Sequence, residues 1–310
     1  MKNIPVKLLP AFKDYLWGGT KLKTEYNKKT DLQKVAESWE LSTHKDGESI
    51  IADGEFKGKK LSEYISANDV LGKRAKAFDF FPILIKFIDA KDNLSVQVHP
   101  DDEYSLKNNG EYGKTEMWYV LGAEEGATLY HGFKKKITKE EFSERIKNNT
   151  LLEVLNKVPV KKGDVFFIES GTVHAIGAGI MICEIQQNSN TTYRVYDYGR
   201  RDKDGNTRPL HIEQAIEVAN LEQPEKQRDL PENILARCKY FTVEKHDIKG
   251  EFSFNVTEDC FKSVIVTEGA AKLIYDNGEL DLEKGDSVFI PAENAEITVK
   301  GDCEIIISYV

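Results

Sequence analysis

A seven-residue segment that occurs twice sets the strongest limit on how this 310-residue chain folds. The first copy runs from Lys162 to Ile168 and the second from Lys284 to Ile290, and five of the seven positions are identical. In both copies Lys-Gly-Asp precedes a β-branched and aromatic run, which is typical of a tight turn that leads into a buried strand. The repeat therefore predicts two related β-domains.

Much of the remaining chain also has the composition of strands. Short β-branched and aromatic runs lie between clusters of Gly, Asn and Asp; they are Leu94–His99, Glu116–Leu121, Asp164–Ile168 and Ile180–Ile185. Many short strands separated by turns favour a sandwich or a barrel over an α/β sheet. We therefore expect a mainly β fold.

Two capping boxes and one proline mark the predicted helices. The boxes are Thr138-x-x-Glu141 and Thr150-x-x-Glu153, and together they predict a short helical insertion at about residues 138–157. A further helix is predicted after Pro209, with the proline in its first turn.

A polar segment divides the chain. Residues 221–233 are mostly polar and include Pro224 and Pro231, which is typical of a linker. We expect a first domain over residues 1–222 and a second over residues 223–310.

Composition excludes several classes of protein. The 43 basic and 52 acidic residues give a net charge of −9, so no basic surface is available for a nucleic acid. No apolar run approaches the ~20 residues of a membrane span, and no signal peptide is visible. The four cysteines show no C-x-x-C spacing, which favours reduced thiols and a cytoplasmic location. No obligate protein partner is evident.

One predicted strand has an unusually polar face. Alternation places Ser95, Gln97 and His99 on one side of the strand and Val96 and Val98 on the other. Ordinary packing gives no reason for an inward face of Ser, Gln and His, since buried polar groups are costly without partners. The face therefore predicts a functional site.

Two further segments supply metal-ligand chemistry. Glu116 shares a strand face with Lys114, and His174 follows the first repeat turn. A barrel that brings Gln97, His99, Glu116 and His174 together offers two imidazoles, a carboxylate and an amide oxygen. This set suits Zn²⁺ or another borderline divalent ion.

The spacing of these residues resembles the cupin motifs. Gly163-x5-Glu169-x-Gly171-x2-His174 is similar to the second cupin motif, and His99 with Glu116 resembles the first. The second copy of the repeat has Glu296 where the metal-binding His would lie. The resemblance implies two cupin-type jelly-roll β-barrel domains, the second without a metal.

More specifically, the chain resembles the short form of the type I, cupin-fold mannose-6-phosphate isomerases. The matching segments cover most of the chain: Tyr15–Gly19, Ala36–Trp39, Leu84–Phe87, Leu94–Asp102, Gly113–Met117, Gly171–Ala175 and Glu184–Arg194. The long forms differ at three places, since they usually have His-Lys-Pro-Glu at 113–116, Asp at 190 and Lys at 200.

The resemblance implies a set of site residues. It places one Zn²⁺ per chain on four ligands, which are Gln97, His99, Glu116 and His174. It further implies catalytic roles for Arg194, Glu184 and Lys114, and substrate contacts at Lys86, Ser95 and Arg200. Within this set, Glu184 is either the base that moves the proton or a structural anchor for Arg194.

The activity implied by the resemblance is the interconversion of mannose 6-phosphate and fructose 6-phosphate through a cis-enediolate. Three alternatives come with it: a cupin-type glucose-6-phosphate isomerase, a metal-dependent cupin oxygenase that uses Fe²⁺, and a phosphosugar-binding module without catalysis. In each of the isomerase and binding hypotheses the partner is a small phosphosugar.

Overall fold

Strands dominate the computed structural model, which describes residues 3–201, 204–225, 227, 229–276 and 278–310. The strands are β1 (Val6–Leu9), β2 (Ala11–Lys13), β3 (Glu37–Leu41), β4 (Thr43–His44), β5 (Gly47–Glu48), β6 (Ile50–Ile51), β7 (Ile83–Ala90), β8 (Val96–Val98), β9 (Glu116–Ala123), β10 (Thr128–Phe133), β11 (Leu155–Pro159), β12 (Val165–Ile168), β13 (His174–Ala175), β14 (Ile180–Gln187), β15 (Tyr193–Tyr196), β16 (Ile234–Arg237), β17 (Thr242–Val256), β18 (Lys262–Tyr275), β19 (Gly278–Glu283), β20 (Ser287–Ile290) and β21 (Ala295–Tyr309). The predicted mainly β class is confirmed.

The helices are short. They are α1 (Lys21–Thr24), α2 (Leu61–Ala67), α3 (Gly72–Ala75), α4 (Asp102–Asn108), α5 (Lys139–Lys147) and α6 (Ile212–Val218). In the part of the chain that the structure describes, no helix is long and apolar enough to cross a membrane.

The helix predictions hold with two corrections. Thr138 caps α5, because its side chain accepts a hydrogen bond from the backbone N–H of Glu141. The second predicted box forms only a 3₁₀ turn over Leu151–Glu153, without a side-chain cap. Pro209 lies ahead of α6 rather than in its first turn, since His211 is the N-cap.

Three main sheets carry the fold. One sheet has six strands in the order β12-β9-β14-β7-β3-β2, and a second has five in the order β11-β10-β13-β8-β15. The third has eight, in the order β16-β17-β21-β18-β20-β1-β6 with β19 beside β18. Most of the C-terminal region belongs to this eight-stranded sheet, together with two strands from the N-terminus.

Both copies of the repeat make the same turn. Gly163 has a φ of +88° and Gly285 a φ of +96°, in the left-handed region that favours glycine. The N–H of Gly163 donates to the carbonyl of Val120, and the N–H of Gly285 donates to that of Val266. The strands that follow pair in the same way, β12 with β9 and β20 with β18. The repeated sequence therefore builds a repeated structure.

The N-terminal strand joins the two regions. β1 pairs with β20 through Val6 and Phe289, so residues from the predicted first domain complete the sheet of the second. Lys226 and Arg228 of the predicted linker lie outside the described residues. The domain limits 1–222 and 223–310, and the closure of the sheets into two barrels, stay predictions.

Candidate active site

A row of four large polar and aromatic side chains crosses the six-stranded sheet. Direct pairing aligns Trp39 with Lys86, Lys86 with Glu184, and Glu184 with Trp118. Residues that pair directly across antiparallel strands point to the same face of a sheet. All four are buried. The row therefore sets two opposite charges side by side between two indole rings.

Ion pairs and hydrogen bonds satisfy this row. The Nζ of Lys86 lies 3.4 Å from Glu184 Oε2 and 3.6 Å from Glu37 Oε2. Trp118 Nε1 donates to Glu184 Oε1 at 3.0 Å. Burial alone would lower the pKa of Lys86, but Glu37, Glu184 and Glu116 hold that pKa above its ordinary value. Lys86 is therefore charged when its carboxylate neighbours are.

A second row crosses the five-stranded sheet. Gln97 on β8 pairs with His174 on β13 and with Arg194 on β15, so these three side chains share one face. Arg194 donates from Nε to Ser95 Oγ at 3.3 Å and from Nη1 to the carbonyl of Pro209 at 3.0 Å. The predicted polar face of β8 thus lies in line with two further predicted site residues.

Three of the four predicted metal ligands form a compact cluster. One ligand atom each from His99, Glu116 and His174 lies within 4.8 Å of the others, and all three residues are buried. His174 Nε2 is 3.3 Å from Glu116 Oε1, and His99 Nε2 is 3.7 Å from Glu116 Oε2. Among the residues that the structure describes, these three side chains form the one cluster of His, Cys or carboxylate groups that could hold a metal ion.

Carbonyl groups fix the orientation of both imidazoles. His99 Nδ1 lies 2.9 Å from the carbonyl of Thr191, and His174 Nδ1 lies 2.8 Å from that of Thr172. Because a carbonyl only accepts, each Nδ1 must carry the proton and each Nε2 keeps its lone pair. Burial is the main reason that the pKa of His174 falls to about 3 and that of His99 falls well below its usual value. Both rings are neutral at pH 7, as metal ligands must be.

The unpartnered atoms of this cluster fit a cation. Glu116 Oε1 and His174 Nε2 are fully buried and have no hydrogen-bond partner in the described part of the chain. Two acceptors that face each other at 3.3 Å leave a place for a positively charged centre. Burial, with the nearby charge of Glu184, raises the pKa of Glu116 to about 8. The residues present therefore suit a divalent metal ion.

Lys114 adds a positive charge beside the cluster. Its Nζ lies 2.5 Å from Glu116 Oε2 and 3.1 Å from His99 Nε2, and the side chain is buried. Lys114 also helps to lower the pKa of Glu184, against the opposite effect of burial. The ammonium group thus stabilises two carboxylates at once.

Glu111 supports the segment that orients His99. It accepts a hydrogen bond from Thr191 Oγ1 at 2.8 Å and pairs with His44 Nε2 at 2.9 Å. The backbone N–H of Asn190 also donates to it, at 3.2 Å. Neither His44 nor Glu111 lies in a recognisable motif, so sequence patterns offered no reason to select them.

A cavity of about 360 Å³ opens beside the cluster. Six predicted site residues line it: Lys86, Ser95, Gln97, Lys114, Glu184 and Arg194. Arg200 does not line it and bonds instead to Asp197, from Nε to Oδ1 at 3.1 Å. Arg208, which sequence reasoning missed, lines the cavity in its place. A single arginine in a polar loop gave no signal by which it could have been found.

The fold and this site define a class: a β-sheet protein of the cupin type with a buried candidate metal centre at a charged cavity. A family model described as the catalytic domain of type I phosphomannose isomerase matches residues 6–130. A second, described as the cupin domain of mannose-6-phosphate isomerase, matches residues 232–310.

Full-length relatives identify the family. The chain is 39% identical over 312 residues to a mannose-6-phosphate isomerase of Streptococcus mutans, with 98% of each chain covered. It is 38% identical over 318 residues to mannose-6-phosphate isomerase ManA of Bacillus subtilis, with 100% of each covered. The chain belongs to the type I mannose-6-phosphate isomerases, a family of aldose–ketose isomerases.

Solved structures agree with this assignment. A crystal structure of the mannose 6-phosphate isomerase from Bacillus subtilis superposes with a TM-score of 0.91 at 34% identity, covering 99% of this chain and all of that one. The apo form of the enzyme from Salmonella typhimurium, at 18% identity and a TM-score of 0.79, shares the fold.

Proposed function

We propose that this protein interconverts D-mannose 6-phosphate and D-fructose 6-phosphate by moving a proton between C2 and C1 through a cis-enediolate. The observation that carries the proposal is the pair of buried, unpartnered acceptors, Glu116 Oε1 and His174 Nε2, beside a cavity with four cationic side chains. Full-length similarity to mannose-6-phosphate isomerases supports the choice of substrate over glucose 6-phosphate.

The proposed cofactor is one Zn²⁺ per chain, held by Gln97, His99, Glu116 and His174. Two neutral imidazoles, a carboxylate and an amide oxygen are ligands that Zn²⁺ accepts. When bound, the metal supplies Lewis-acid stabilisation of negative charge on the substrate oxygens. Thr172 and Thr191 support this role, because their carbonyls bind Nδ1 of both imidazoles and leave each Nε2 its lone pair.

Glu184 is the proposed base. The nearby charges of Lys114 and Lys86, with the Trp118 hydrogen bond, hold its pKa below the ordinary value despite full burial. An ionised carboxylate that lines the cavity is able to take the C2 proton and return it at C1. The alternative role as an anchor for Arg194 is less well supported, since Arg194 bonds to Ser95 and Pro209 instead.

Cationic groups complete the proposed site. Arg194 is placed to stabilise the charge of the enediolate, since its guanidinium lines the cavity beside the neutral Ser95. Lys114 assists by pairing with Glu116 and by favouring the charged form of Glu184. Lys86 and Ser95 are proposed substrate contacts because both line the cavity. We propose a cytoplasmic location, with a phosphosugar as the partner.

The test is metal removal followed by a coupled assay. Protein stripped of metal, as checked by elemental analysis, should lose conversion of mannose 6-phosphate to fructose 6-phosphate and recover it with Zn²⁺. Full activity without metal would refute the ligand assignment. Faster turnover of glucose 6-phosphate, or oxygen uptake with Fe²⁺, would replace the proposed reaction with one of the alternatives.

A further inference from the structure

Three arginines, Arg194 at the end of the five-stranded sheet and Arg200 and Arg208 in the loop before α6, lie near the carboxylate of Asp197. Arg208 donates to Asp197 from Nε at 2.8 Å and from Nη2 at 2.6 Å, and Arg200 binds the same carboxylate. Arg194, the third guanidinium nearby, bonds in the described part of the chain only to the neutral oxygens of Ser95 and Pro209. Two guanidinium groups thus share one carboxylate and the third binds none among the described residues, so the three arginines carry two more positive charges than Asp197 neutralises.

This excess faces the cavity. Arg194 and Arg208 both line it, whereas Asp197 does not line it and is buried, at 7% exposure. Burial, together with the positive charge of Arg208, lowers the pKa of Arg194 below its usual value. Two cations that are held close together at one cavity wall favour an anionic ligand that neutralises both.

The unbonded nitrogen of the Arg208 guanidinium indicates what kind of anion fits. Asp197 occupies Nε and Nη2 of Arg208, so Nη1 has no partner among the described residues. A fixed guanidinium edge of this kind suits a phosphate, which offers three acceptor oxygens and a charge of about −1.5 to −2 at pH 7. Asp197 holds the Arg208 guanidinium by two bonds, which fixes its orientation before any ligand arrives.

We propose that Arg208 binds the phosphate group of the sugar substrate, and that Arg200 is a positioning residue that acts through Asp197. This inference rests on the proposed function, since it assigns the phosphate of the same substrate. The sequence predicted Arg200 as a direct substrate contact, and the proposal assigns that contact to Arg208 instead. Arg194, next to it, remains free to stabilise charge at the reacting carbons.

The test compares three arginines that follow one another along the same loop. Arg208→Gln should raise KM for mannose 6-phosphate about 10- to 100-fold, because a hydrogen bond to a charged group contributes roughly 1.5–3 kcal/mol. The inhibition constant of inorganic phosphate should rise by a similar factor, and kcat should change much less. Arg200→Gln should raise KM several-fold, and Arg200→Lys should restore part of that loss. Arg201→Gln is the matched control, because Arg201 is exposed and bonds to the carbonyl of Gly205.

Several outcomes would overturn the assignment. One is a KM and a phosphate inhibition constant for Arg208→Gln that equal those of the wild type. Another is a larger phosphate-specific loss in Arg200→Gln than in Arg208→Gln. If Arg208→Gln does not fold, Arg208→Lys keeps a charge at the position, and its KM should still rise because lysine lacks the planar fork.

Failure of the proposed function gives a different result. A wild-type protein that does not convert mannose 6-phosphate would refute the function, and calorimetry with inorganic phosphate on wild type and Arg208→Gln would still decide the subsite. Phosphate binding that is lost in the variant supports the subsite, and equal binding refutes it.

Discussion

The two copies of the Lys-Gly-Asp turn show how one scaffold serves two purposes. In the first copy, the strands in the order β12-β9-β14-β7 carry the row of Trp118, Glu184 and Lys86, and the second copy repeats this strand order as β20-β18-β21-β17. Even the register agrees, since Ile168 pairs with Glu116 and Ile290 pairs with Lys262. The backbone is therefore shared, and the difference between the regions lies in the side chains.

The central row of the sheet shows this difference best. Where the first copy sets Trp118 beside Glu184, the second sets Val264 beside Ile307. Val264 and Ile307 are fully buried in an aliphatic core. Aliphatic packing needs no partners and stabilises the fold, whereas Glu184 needs Lys86 and Trp118 to offset its desolvation. The first copy thus keeps a polar cavity at the position where the second is filled.

The proposed metal-ligand positions differ in the same sense. Glu116, fully buried, corresponds in register to Lys262, whose Nζ lies 3.9 Å from the ring centroid of Tyr309. His174, also fully buried, corresponds by its distance from the repeat glycine to Glu296, which is exposed. A cation in place of a carboxylate, and a solvated acid in place of an imidazole, remove the chemistry of the site without changing the strands.

The largest expected effect comes from replacing Glu116 by lysine, the residue that the second copy has at the corresponding position. Glu116→Lys should remove bound metal and lower kcat/KM ~1,000-fold or more, since a Lewis acid contributes several kcal/mol to charge stabilisation. Elemental analysis and the coupled assay measure both changes. Glu116→Gln, which keeps the side-chain size, should also lose metal, and Lys262→Glu is the matched control that should leave one metal per chain. Metal content at the wild-type level in Glu116→Lys would contradict the ligand role.

A deletion in the aliphatic row should act on stability instead. Ile307→Ala removes buried methyl groups and should lower the free energy of unfolding by about 2–5 kcal/mol, as measured by urea denaturation. Activity per folded molecule should stay at the wild-type level, because Ile307 lies in the second copy. A fall in kcat at unchanged stability would show that the second region takes part in catalysis.

A change on the five-stranded sheet tests what the first region adds to the shared scaffold. Arg194→Lys should lower kcat ~100-fold or more with little change in KM, because lysine lacks the planar fork that faces two oxygens. Circular dichroism should show an unchanged fold. A raised KM at constant kcat would make Arg194 a substrate-binding contact, and native values of both would remove it from the mechanism.

The sequence was most informative where a local pattern decides the structure. Alternation in β8 and the repeat turn were sufficient to predict that Gln97 and His174 share a site, because strand geometry has a period of two. Arg208 was not predictable in this way. It reaches the cavity only because Asp197 holds it across the loop, and such a contact between separate turns leaves no periodic signal. The prediction that Pro209 lies in the first turn of the helix was wrong, because the loop continues to His211, the N-cap of α6.

The smallest expected effect concerns Glu296, the counterpart of His174. Glu296 is exposed on β21. It pairs across the sheet with Asn255 and is followed along the strand by Ile297, and neither neighbour has a carboxylate or an imidazole. Glu296→Ala should therefore leave metal content and activity at the wild-type level, and a surface substitution of this kind should change stability by less than about 0.5 kcal/mol. Elemental analysis of both proteins is the deciding measurement. Two metals per chain in the wild type that fall to one in the variant would show a second metal site, and would mean that the two regions differ less in chemistry than their buried rows indicate.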